Sequence, residues 1–112
     1  MNQDINRVEL CGKVGTVRQN NWCANFTLCT EHGYVNHEGF VIYESTWHNV
    51  VAFESRQISI KNITKDARIY LTGRIRNNRY TAADSTERVF SEILADSLTF
   101  VKDSSPASKQ VP

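Results

Sequence analysis

Apolar and polar residues trade places at every second position through most of this chain, and that period limits what it can fold into. From Arg7 to Gly15, Val8, Leu10, Gly12 and Val14 alternate with Glu9, Cys11 and Lys13. Successive side chains of a strand point to opposite faces, so a period of two predicts a half-buried strand. Trp22 to Thr30 repeats the pattern with Ala24, Phe26 and Leu28 inward. Phe40 to Phe53, rich in β-branched and aromatic residues, sets Trp47, Asn49, Val51 and Phe53 on one face and His48, Val50 and Ala52 on the other. Ala67 to Tyr80 places Ile69, Leu71, Gly73 and Ile75 inside, and Arg88 to Val101 is the fifth strand. Gly12 and Gly15 predict a bend or a close backbone approach in the first strand. Glu31 to Gly39 reads as a loop or the tip of a long hairpin, and Thr81 to Thr86 as a turn. Glu54 to Asp66 is the only candidate helix, with Ile60 and Ile63 packing inward, and its Ser, Asn and β-branched content makes it a weak one.

Five strands with one short helix between the third and fourth predict an all-β domain. They suit a small closed barrel rather than a sandwich. The five-stranded barrel with that insertion and extended hairpin loops is the oligonucleotide-binding (OB) fold. The 112 residues make one domain, over 1–101, and are too few for a second core. Residues 1–6 read as a short disordered arm and 102–112 as a short polar disordered tail. Phe26, Phe90 and Phe100 read as core, and Trp22 as core or a subunit contact.

Several function classes drop out. No apolar run approaches the roughly 18 residues of a membrane span, so no membrane partner is expected. The polar start lacks the basic and apolar regions of a signal peptide, which predicts a cytoplasmic, nucleoid-associated protein. Three cysteines, none in a Cys-x-x-Cys, argue against a disulfide framework. Cys23 and Cys29, six apart, read as reduced strand residues sharing a face. His32, His37 and His48 have no HExxH or His-x-His spacing, and a zinc site from His32, His37 and a cysteine lacks ligand spacing. There is no Walker motif, no GxSxG and no nucleophile–base pair. The expectation is a non-enzyme with no cofactor and no metal.

The formal net charge is only +1, from 13 basic and 12 acidic residues. The distribution says more than the sum. Between Arg56 and Tyr80 stand seven basic residues and one acid, Asp66, a local +6. Arg68, Arg74 and Arg76 have the parity opposite to Ile69, Leu71 and Ile75, with Arg79 beyond them. They predict an outer stripe able to follow a phosphate backbone, and Lys13 on the first strand's polar face is a further candidate. Tyr70 shares the parity of Arg68 and Arg74. Trp47 and Phe53 share an outer face, Tyr80 projects near the end of the fourth strand, and Tyr34 and Phe40 sit in the loop before the third strand. Rings beside guanidinium groups suit unpaired bases, and each stacked base is worth about 1–3 kcal/mol by alanine substitution. A duplex exposes no base faces, so single strands are favoured.

These residues resemble the bacterial single-stranded DNA-binding proteins. INRVELCGKVG is similar to the family's first strand and CANFTLCTE to its second. STWHNVVAF resembles the family's Thr-Glu-Trp-His-Arg-Val-Val-Leu-Phe, the most specific element. ARIYLTGRIRNNRY is similar to the strand that ends in an aromatic after a basic run, and SEILADSLTFV to the closing strand. The resemblance spans Asn6 to about Val101. It implies a sequence-tolerant single-stranded DNA binder in DNA replication, recombination or repair. Trp47 and Phe53 take base-stacking positions, Tyr80 stands in place of a stacking Trp, and Tyr34 stands near the loop aromatic. Arg76 and Arg79 match backbone-contacting positions. His48 matches a histidine linked to subunit assembly, which implies a homo-oligomer, a tetramer or a dimer.

Departures accompany the likeness. The loop after the first strand is shortened. Asn49 replaces a common Arg, and Glu54-Ser55 replaces Gly-Lys, so positive charge is lost. The family's acidic C-terminal tip is absent, which puts tail-mediated recruitment of repair enzymes in doubt and fits a short paralogue from a phage or mobile element. The other reading is a primosomal-type OB-fold module whose surface mainly binds a protein partner.

Overall fold

The computed structural model describes residues 3–102. Of the tail expected over 102–112, only Lys102 falls within that range. Five strands form a closed barrel: β1 (Val8–Gln19), β2 (Cys23–Val35), β3 (Val41–Phe53), β4 (Arg68–Thr81) and β5 (Glu87–Phe100). Their order around the barrel is β1-β2-β3-β5-β4. All neighbours are antiparallel except β3 and β5, which pair in parallel at Val50↔Ile93 and Val51↔Leu94.

The inward set fills the barrel. Val14, Ala24, Phe26, Leu28, Val50, Ala52, Ile69 and Leu71 are buried in one cluster with Ile93, Ala95 and Leu98. Gly12 lets the β1 backbone approach the Cys29 carbonyl, where a Cβ would collide. The bend comes just beyond, as a register shift against β2 between Val14 and Val17.

The expected helix between β3 and β4 is a single 3-10 turn, Ile60–Asn62. A run of Ser, Asn and β-branched residues does not sustain an α-helix. Burial still shapes the segment, since Ile58, Ile60 and Ile63 all close over the core. Glu54 Oε1 accepts from the Ile60 backbone N–H at 3.0 Å, and Gln19 Nε2 donates to the Ile63 carbonyl at 3.2 Å.

Two hairpins run beyond the barrel. β2 and β3 stay paired out to Val35↔Val41, so of the two readings of Glu31–Gly39 the long hairpin holds, with Glu31–Val35 still strand. β4 and β5 stay paired from Gly73↔Ala95 to Thr81↔Glu87. Here β4 has left the core, and Ile75, expected inside, is 48% exposed. Phe90 and Phe100 are likewise on the surface, each 39% exposed. Along the hairpin, alternation in sequence persists where nothing remains to bury the inward side, whereas Phe100 is the last residue of β5, opposite the buried Ile69. Asn6 is not loose either. Its amide nitrogen donates to the Ile75 carbonyl and its Oδ1 accepts from the Ile75 N–H, fastening the arm to β4.

Candidate nucleic-acid interface

Strand register assembles a row across four strands of the outer surface. Arg68 pairs with Lys13, Lys13 with Cys29, and Cys29 with Trp47. Paired residues share a face, so two cations and a ring stand in one line. The Trp47 indole lies over Gly15, where a Cβ would fall 2.6 Å from the ring. It thus rests on backbone with 60% of its surface open. Neither Lys13 nor Arg68 forms an ion pair with a described residue. A trough of about 400 Å³ follows the row, lined by Cys11, Lys13, Cys29, Trp47, Lys65 and Arg68 and bordered by Glu31 and Asp66.

Phe53 lies at the far end of the same β3 face, 47% exposed and opposite Cys23. Beyond it stands Trp22, 75% exposed and so not core. Its backbone is fixed. Asn20 Oδ1 accepts from the N–H groups of Trp22 and Cys23, and the Trp22 carbonyl accepts from the Glu54 N–H. The sequence signal for an exposed ring was its place directly after Asn20-Asn21, a turn pair. Arg18, also on this surface, is a cation that the charge count by segment overlooked, because it lies outside the basic stretch.

The β4–β5 hairpin departs from the predicted stripe. Arg74 Nη1 donates to Asp96 Oδ1 at 3.1 Å, Arg76 Nε to Glu92 Oε2 at 2.6 Å and Arg79 Nη1 to Glu87 Oε1 at 3.4 Å. Only Arg68 of the four is free of a described acid. The reason is register: β5 carries its acids opposite or diagonal to the β4 arginines. Tyr80 meets Phe90 edge-on, with ring centroids 5.7 Å apart, and remains 48% exposed. Tyr70 lies opposite Cys11 on β1, and its hydroxyl donates to Glu9 Oε2, which pushes the phenol pKa up. Its ring is half-buried and its polar end is taken.

The β2–β3 hairpin separates its aromatics. Gly33↔Tyr43 and Val35↔Val41 continue the Trp47 face, whereas Tyr34↔Ile42 and His32↔Glu44 belong to the other. Tyr34 therefore does not join Trp47. Tyr43, not singled out by sequence, does: its ring lies over Gly33 and is 66% exposed. Parity counted back from Trp47 could have found it. His48, on the Tyr34 face, shares a hydrogen bond with Thr30 Oγ1 at 2.9 Å, and partial burial lowers its pKa.

The barrel recurs in solved structures. One is titled "Plasmodium falciparum SSB complex with ssDNA"; it matches with a TM-score of 0.71 at 21% identity, over 90% of this chain and 99% of that one. A small single-stranded DNA-binding protein from Streptomyces coelicolor matches with a TM-score of 0.64 at 14% identity, over 86% and 94%. The model of the Single-strand binding protein family matches residues 5–101. The chain belongs to that family. Family relatives include the mitochondrial single-stranded DNA-binding protein of Bos taurus, 28% identical over 92% of this chain and 79% of the relative. The Bacteroides thetaiotaomicron single-stranded DNA-binding protein is 33% identical over 84% of this chain and 64% of its own length. Family membership covers all five strands and thus every side chain of the row.

Proposed function

We propose that this chain binds single-stranded DNA without strong sequence preference, by stacking bases on exposed rings and neutralising phosphates. The observation that carries this is the Arg68–Lys13–Cys29–Trp47 row, where unpaired cations lead to an open indole. A strand laid along it meets charge for its phosphates and a flat face for a base. Phe53, Trp22 and Tyr43 extend the ring surface in two directions from Trp47. The role is non-catalytic, in DNA replication, recombination or repair at the nucleoid. A homotetramer would present several such surfaces, with His48 in its assembly.

Titration with oligo-dT tests the reading. Intrinsic tryptophan fluorescence should be quenched, because Trp47 and Trp22 are the two tryptophans and both are exposed. The apparent affinity should fall as salt rises. No quench and no bound complex at low salt would refute it. Light scattering with and without oligo-dT gives the assembly state in the same samples.

A further inference from the structure

A second trough, between the barrel and the β4–β5 hairpin, holds polar groups that stacking and phosphate neutralisation leave unused. It encloses about 420 Å³ and is lined by Arg18, Asn25, Asn49, Asn78, Phe90 and Glu92, among others. Glu92 is only 5% exposed, the one buried charged residue among those described. Arg76 Nε occupies its Oε2 at 2.6 Å, and no described group donates to Oε1. The side-chain amides of Asn49 and Asn78 have no hydrogen-bond partner among the described residues. That of Asn25 has only the Cys23 Sγ, at 3.8 Å. Asn25, Asn49 and Asn78 are exposed, so their amides face solvent and are available to a ligand that enters the concavity.

Continuity with the Trp47 row says what that ligand is. Asn49 is two residues from Trp47 on the same face of β3, so a strand stacked on the indole runs next into this trough. Phe90 offers a ring there, 39% exposed, and Asn78 sits opposite it on the neighbouring strand. A ring flanked by amides and a fixed carboxylate can read the edge of one base.

We propose that this trough is a base-reading subsite that takes an unpaired base carrying an exocyclic amino group, cytosine in preference to thymine. An ionised carboxylate only accepts hydrogen bonds, and the cytosine 4-amino group donates to it. Thymine presents a carbonyl oxygen at the same position, and its lone pairs face the carboxylate. Asn49 and Asn78 supply donors for the ring nitrogen and the 2-carbonyl of cytosine. Arg76 Nε fixes the Glu92 carboxylate in place at 2.6 Å, and is not itself free for phosphate. The subsite rests on the single-stranded DNA reading and adds edge recognition at one point of a binder that is elsewhere tolerant.

The test is the ratio of affinities for oligo-dC and oligo-dT of equal length, by fluorescence anisotropy at one salt concentration with the full chain. Glu92→Gln replaces the acceptor by an amide that serves either base, so the ratio should shift toward oligo-dT by about tenfold. Asn78→Ala, on the exposed hairpin, should shift it the same way by a smaller factor with the fold intact by circular dichroism. If Glu92→Gln does not fold, Asn49→Ala and Asn78→Ala carry the test. An unchanged ratio in the folded variants, with both oligonucleotides still bound, overturns the subsite and leaves the binding reading standing. Binding of neither oligonucleotide by the unaltered protein overturns both.

Discussion

The outer face of the barrel body and the β4–β5 hairpin divide the cations of this protein in opposite ways. The hairpin has the denser cluster, with Arg74, Arg76, Arg79 and Arg88, yet each of these sits within 3.5 Å of a carboxylate. The body has Lys13, Arg18, Lys65 and Arg68, spread over three segments, and none forms an ion pair with a described residue. A phosphate arriving at the hairpin must compete with an acid already in place. One arriving at the body displaces only water and counterions. The basic stretch from Arg56 to Tyr80 is therefore split: Lys65 and Arg68 on the body stay unpaired, while Arg74, Arg76 and Arg79 on the hairpin are each held by an acid.

Removing hairpin cations should show up first as damage to the fold. Arg76 covers the buried Glu92, and Arg76→Ala strands that carboxylate. Breaking a buried pair typically costs 3–5 kcal/mol, but Arg76 is itself 41% exposed, so a loss of about 2 kcal/mol in urea-unfolding free energy is expected. Arg74→Ala and Arg79→Ala break exposed pairs and should each change stability by less than about 1 kcal/mol. Equal losses from all three would erase the distinction between the buried pair and its exposed neighbours.

On the body the effects should fall on affinity instead. Trp47→Ala should cost about 1–3 kcal/mol of single-stranded DNA binding, measured by anisotropy, with the unfolding midpoint nearly unchanged because the ring is open. Lys13→Ala and Arg68→Ala should each flatten the slope of log K against log salt by about 0.7, the single-strand increment per phosphate neutralised. Arg74→Ala and Arg79→Ala should flatten it by less. Slopes that respond equally in the two regions would break the contrast.

The β2–β3 hairpin allows a finer version of the same comparison within one element. Tyr43 continues the Trp47 face and Tyr34 the opposite one, so Tyr43→Ala should weaken binding severalfold and Tyr34→Ala should leave it unchanged in a single bound protomer. The reverse order would mean that bound DNA runs along the His48 side of the hairpin.

Legibility in the sequence followed burial. Where one face of a strand is packed, as in Ala24-Phe26-Leu28 or Ile69-Leu71, alternation gave both the strand and its inner face. Past Gly73 and past Thr30 no core remains, and the period stopped reporting the environment. Ile75 and Phe90 consequently keep a core-like parity on an exposed hairpin, and of the two readings of Glu31–Gly39, loop or tip of a long hairpin, the structure has the hairpin. Trp47, Phe53 and Lys13 were placed correctly because they alternate with packed residues. The pairing of Arg74, Arg76 and Arg79 with acids could not be read from one strand. It depends on the register of β5, which shifts between Thr72 and Gly73.

The smallest expected effect concerns the seam where the two regions meet. His48 lines a shallow trough there with Ile75, Ser91 and Ile93, and partial burial lowers its folded pKa below the ordinary 6.5. The unfolded chain then binds the proton more readily than the folded one. Stability from this group is full above about pH 6.5 and declines as pH falls through that value, levelling once pH passes below the folded pKa. Asp84 titrates in a separate window. Its carboxyl is held below the usual range by the Thr86 hydroxyl, so its stabilising share is present above about pH 4 and is lost only in stronger acid. Between pH 7 and pH 5, the urea midpoint should thus drop slightly in the unaltered protein, and less in His48→Gln. Glu92 and the surface ion pairs are common to both proteins, so the difference between the two curves isolates His48. Parallel curves would mean that the seam is wet enough to accept the imidazolium, and that the hairpin does not seal against β3.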